Sequence, residues 1–164
     1  MGMPPLVIGI GNPDRGDDAI GLVVVRRLRE LAPGGIEIAE ADGEPAGLVE
    51  MLGGRPAVWL IDAAGPGNDP GTVRRFGAGV EPLPVALGSP SSHGLGVAEA
   101  IELARALGVL PAACVVFTIE AAGFEPGAPL TPAVTASGET VACRLQVEVA
   151  GSHARNAALQ YTRW

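Results

Sequence analysis

Short, fully apolar runs alternate with longer stretches in which apolar side chains return every third or fourth residue. Leu6-Val7-Ile8 predicts a buried strand over 6–10, and comparable runs predict strands over 36–41, 57–61 and 114–119. Between them, helical spacing predicts helices over 19–31, 45–52, 94–107 and 133–149. The pattern is plainest over 94–107, where Val97, Ile101, Ala104 and Leu107 fall on one stripe and Gly108 marks the end. Pro45 suits the opening turn of its helix, where the missing N–H costs nothing, and Gly53-Gly54 stops it. Residues 72–76 read as an edge strand. Residues 77–92 and 121–132, rich in Gly and Pro, read as irregular connections. Strands that alternate with helices imply right-handed crossovers and a largely parallel sheet. The expected fold is a single-domain three-layer α/β/α sandwich with a mostly parallel twisted sheet over 1–150, followed by a tail over 151–164.

Composition narrows the class. At 164 residues the chain fits one domain, since domains commonly hold about 100–200 residues. Apolar residues make up 48% but aromatics only 4%, which predicts a core of Val, Leu, Ile and Ala. A net charge of -7 with 11 Lys and Arg provides no basic footprint for nucleic acid and no polybasic membrane anchor. The apolar runs fall well short of the roughly 18 residues of a spanning helix, and the N-terminus lacks the basic segment of a signal peptide. Cys114 and Cys143 lack metal-type spacing and sit among apolar neighbours, so both are expected as buried free thiols. These features point to a reducing cytoplasm.

The chemistry concentrates between the first strand and first helix, in Gly9-Ile10-Gly11-Asn12-Pro13-Asp14-Arg15-Gly16-Asp17-Asp18-Ala19-Ile20-Gly21. In parallel sheets ligands bind outside the carboxyl ends of the strands. Asp17 and Asp18 follow the first strand, Asp62 ends the third, and His93 immediately precedes the helix at 94. Two carboxylates and an imidazole form a mixed oxygen and nitrogen set suited to a divalent transition metal. Taken singly, each has a plainer reading: Asp before a helix caps it, Asp after a strand caps a turn, and a loop His is a surface group. A dinucleotide fingerprint would need a third glycine where Asp14 stands, and three acids would oppose a pyrophosphate; Glu40 or Asp42 would be its ribose partner. Gly-Asn-Pro also looks like the opening of peptidyl-tRNA hydrolases, but the His-Asn pair expected shortly afterwards is absent. No Gly-x-Ser-x-Gly elbow occurs. The alternatives are therefore a metal-dependent enzyme, a non-catalytic metal- or partner-binding domain, and a small nucleotide-binding α/β enzyme.

Taken together, these segments resemble the hydrogenase maturation endopeptidases. The shared features are Gly9-x-Gly11-Asn12 with Asp17-Asp18 and Gly21, Asp42-Gly43 after the second strand, Leu60-Ile61-Asp62, Ser91-Ser92-His93-Gly94-Leu95-Gly96, and Leu130-Thr131-Pro132-Ala133-Val134. They run in order over about 6–134; the turn after strand two departs from the family's Asp-Gly-Gly-Thr at Glu44 and Pro45. The resemblance implies a peptidase that removes a short C-terminal extension from the nickel-loaded precursor of a nickel–iron hydrogenase large subunit. Nickel would be presented by that precursor. Asp18, Asp62 and His93 would contact the metal and carry the reaction, and Asp42 would bear on substrate choice. Asp17 would cap the helix and orient Asp18.

Overall fold

Leu6–Ile10 forms β1, buried along its whole length, as an uninterrupted apolar run requires of a strand covered on both faces. The structure, a computed structural model, describes residues 2–31, 34–83 and 94–161, with the backbone alone at 94–95 and 153–161. A 3₁₀ turn, Gly16–Ala19, leads into α1 (Ile20–Leu31), and β2 (Glu37–Ala41), α2 (Pro45–Leu52), β3 (Ala57–Ala64) and β4 (Val73–Gly77) follow. The chain closes with α3 (Gly94–Ala106), β5 (Ala113–Glu120) and α4 (Pro132–Tyr161). Among the described residues the strands make one five-stranded sheet in the order β2-β1-β3-β5-β4. All pairs are parallel except β4 with β5, so the predicted edge strand runs antiparallel.

Alternation along the strands divides the core in two. Val7, Trp59, Ile61, Phe117 and Ile119 face α1 and α4, which contribute Val24, Leu28, Val141 and Leu145. Leu6, Ile8, Val58, Leu60 and Val116 face α2 and α3, which contribute Leu48, Leu52, Val97 and Ile101. Helices on both sides of the sheet make the expected three layers. Phe117 is wholly buried and Trp59 nearly so, so the core is not purely aliphatic; a side chain of this size stabilises by about 1.5–3 kcal/mol when buried.

Three expectations change. β3 does not stop before Asp62 but runs on to Ala64, because β5 pairs with it continuously from Ala57–Ala113 to Ala64–Glu120. α4 does not end at 149 but continues to Tyr161. Gly138 does not interrupt it: a Cβ there would press on Ile20, so the missing side chain is what lets α4 lie close against α1. Cys143 is exposed, whereas Cys114 is buried as expected; helical periodicity turns Cys143 away from the stripe formed by Val141, Ala142 and Leu145. No helix among the described residues is long and apolar enough to cross a membrane.

Candidate active site

The chain leaves β1 for β2 on one side and then crosses back to β3 on the other, so the carboxyl ends of β1 and β3 flank a topological switch point. The motif glycines close this crevice by allowing backbone to touch backbone. A Cβ on Gly21 would collide with the carbonyls of Ile10 and Ile61, and one on Gly11 with the carbonyl of Asp18. The 3₁₀ turn and the first turn of α1 are thereby seated directly on β1 and β3.

This seating brings Asp18 to Asp62. Both are buried, at 0% and 3% exposure. Burial pushes the Asp62 carboxyl well above the usual carboxylate range, and the nearby charge of Asp18 pushes it further; the hydrogen bond from the Ala63 N–H, 2.9 Å from Oδ1, opposes them without prevailing. Two carboxylates so placed disfavour joint ionisation unless a proton or a cation lies between them. Asp62 lies inside β3, which continues two residues beyond it, so it does not cap a turn at the strand end.

Asp17, adjacent in sequence to Asp18, has a different role. It sits inside the 3₁₀ turn, whose N-cap position is Arg15, and its carboxylate turns to donors far along the chain instead of capping a helix. Its carboxylate accepts the Thr131 N–H at 2.7 Å, the Ala122 N–H at 2.8 Å and the Thr131 hydroxyl at 2.9 and 3.0 Å. Its own N–H donates to the Gly123 carbonyl at 3.2 Å. Asp17 therefore fastens the turn that carries Asp18 to the end of β5 and the start of α4. The carboxylate is saturated by these donors, which fits orientation and leaves it poorly placed to serve as a base.

His93, with Ser91 and Ser92, lies outside the described residues. The helix that follows it in sequence is described: α3 begins at Gly94, and Gly96 abuts the carbonyl of Gly43, where a Cβ would not fit. The start of α3 thus meets the turn after β2, on the face of the sheet that alternation assigns to Asp62. Asp42 sits in that same turn, where its Oδ1 accepts the Glu44 N–H at 3.0 Å. It lines a groove of about 580 Å³ together with Gly11, Leu22, Arg26, Glu44 and Met51. Glu44 and Pro45 have a structural purpose here: the Glu44 carboxylate accepts the N–H groups of Ala46 and Gly47 at 3.0 and 2.8 Å and caps α2, with Pro45 in its first turn. Glu40 is held by Arg26 and Arg29 at 2.6 and 2.7 Å, which occupies the carboxylate a dinucleotide reading would use.

Sequence reasoning missed two polar residues here. Thr131 appears in it only as part of a motif, without its Asp17 contact. Thr118, buried in β5, stands level with Asp62, and its one sequence signal is a hydroxyl at an inward position of an otherwise apolar strand.

Comparison with known proteins bears on this geometry. The family model for hydrogenase maturation protease matches residues 23–146. The hydrogenase 2 maturation protease of Escherichia coli K12 is 33% identical over 138 residues, covering 80% of this chain and 81% of that protein. Among solved structures, the hydrogenase maturating endopeptidase HybD from E. coli superposes with a TM-score of 0.73 at 28% identity, covering 89% of this chain and 94% of that one. The [NiFe] hydrogenase maturation protease HycI from Thermococcus kodakarensis shares the fold, with a TM-score of 0.69 at 20% identity over 92% of this chain and 94% of that one.

Proposed function

The chain belongs to the hydrogenase maturation protease family, a family of peptidases, and from that premise we propose that it removes a C-terminal extension from the nickel-loaded precursor of a nickel–iron hydrogenase large subunit. The observation that carries the reading is the buried Asp18–Asp62 pair at the switch point, where the charge of one carboxylate opposes ionisation of the other. A divalent cation relieves that opposition, and two carboxylates with the imidazole of His93 suit a transition metal and leave coordination positions open. Nickel enters this reading as part of the substrate. A metal shared by precursor and protease polarises the scissile carbonyl or lowers the pKa of a bound water. Asp18 and Asp62 hold the metal-bearing end of the precursor, Asp17 keeps Asp18 in place through Thr131 and Ala122, and Asp42 on the groove wall reads the adjoining polypeptide.

Mass spectrometry of a nickel-loaded precursor incubated with the protein tests this. The wild type is expected to release a short C-terminal peptide. Asp18→Ala, Asp62→Ala and His93→Ala are each expected to leave the precursor whole while remaining folded by circular dichroism. Normal trimming by all three variants overturns the reading.

A further inference from the structure

β3 and β5 pair in parallel with Asp62 opposite Thr118, so their side chains stand side by side on the face toward α2 and α3. Along that row the preceding pairs are Val58 with Cys114 and Leu60 with Val116, all buried and apolar. A hydroxyl then appears where valine, of the same shape, would continue the row. Thr118 is 5% exposed, and its Oγ1 is buried without a hydrogen-bond partner among the described residues. An unmade hydrogen bond in a protein interior costs stability, and sites that retain such groups are commonly those that complete them with a ligand.

We propose that Thr118 is a positioning residue of the Asp18–Asp62 site, its hydroxyl donating to the Asp62 carboxylate when that carboxylate holds a cation. The inference rests on the metal-recognition reading above. Asp62 already accepts the Ala63 N–H on Oδ1, and a second donor from the neighbouring strand fixes which way the carboxylate faces. Groups that orient metal-ligating carboxylates in this way typically change metal affinity by about 10- to 100-fold when removed. The hydroxyl is thus a group that no described residue engages and that the occupied site would use.

The test compares full-length wild type, Thr118→Val and Thr118→Ser by thermal melting without metal, by calorimetric titration with Ni²⁺, and by precursor processing. Thr118→Val is expected to melt no lower than wild type without metal, because a methyl replaces an unbonded hydroxyl, yet to bind Ni²⁺ about 10- to 100-fold more weakly. Thr118→Ser, which keeps the hydroxyl, is expected to bind within about threefold of wild type. Unchanged Ni²⁺ affinity in Thr118→Val overturns the proposal while leaving the processing reading intact, as does a fall in metal-free melting temperature that Ser reverses. Weakened Ni²⁺ binding by Thr118→Val alongside a wild type that never shortens precursor upholds the proposal and overturns the processing reading. A wild type that neither binds Ni²⁺ nor processes precursor overturns both.

Discussion

Asp62 shows how a single residue can be held against its own stability. Its carboxyl is raised by burial and by Asp18, so the folded chain keeps a proton that the unfolded chain, near the ordinary value of 3.8, has already released. A folded-state value above the unfolded one makes stability fall as pH rises past about 4, and the loss levels off once the folded carboxyl ionises. Asp62→Asn removes the titration. Its melting temperature is expected to match wild type near pH 3 and to exceed it by a widening margin toward neutrality, followed by circular dichroism across that range. The same variant is expected to process no precursor. A margin that is flat or reversed with pH contradicts the electrostatic account of the pair. Cys114 shows burial acting in a simpler setting: its thiol is pushed up to about 12 with only a partial offset from Arg105, which leaves it a packing residue rather than a nucleophile.

At the scale of elements, two devices carry the 3₁₀ turn and α1 to their places. One is contact without side chains. Gly21 touches the carbonyls of β1 and β3, and any added carbon must push the helix off the sheet. Gly21→Ala is therefore expected to cost at least about 2 kcal/mol in urea unfolding, well beyond the helix propensity that alanine gains. The other device is the Asp17 clamp. Its carboxylate gathers donors from Ala122 and Thr131, joining the end of β5 and the start of α4 to the turn before α1. Hydrogen bonds to a charged acceptor are worth more than neutral ones, and Asp17→Ala is expected to lower stability by about 3 kcal/mol. Only the share owed to the Thr131 hydroxyl should disappear when the substitution is made in a Thr131→Val background, because the backbone N–H groups of Thr131 and Ala122 remain, and a double-mutant cycle measures that share.

Across the whole molecule, the sheet order sets a gradient of stability. β1 and β3 are central, paired on both sides and sealed by helices on both faces, whereas β2 and β4 are the edges and are only half-buried. Native-state hydrogen exchange is expected to find the slowest amides in β1 and β3 and markedly faster ones in β2 and β4. The same geometry places the candidate site between two central strands, at their carboxyl ends, while the Asp42 groove lies at the β2 edge. Under the proposed function, holding a metal-bearing substrate end calls for rigidity at the first place, and accepting the adjoining polypeptide calls for latitude at the second.

The order of strands and helices was legible in the sequence because it depends on periodicity among near neighbours. The rule that ligands gather at the carboxyl ends of parallel strands gave Asp17, Asp18, Asp62 and His93 as candidates before any distance was known. The family resemblance had set Asp18 apart from Asp17, but tertiary structure alone showed Asp17 to be a fastener, since Thr131 and Ala122 come from more than a hundred residues away. It alone carried β3 beyond Asp62, turned Cys143 to the surface, and set Thr118 level with Asp62. Each of these depends on which strands and helices become neighbours and in what register, a long-range outcome of packing that local spacing does not encode.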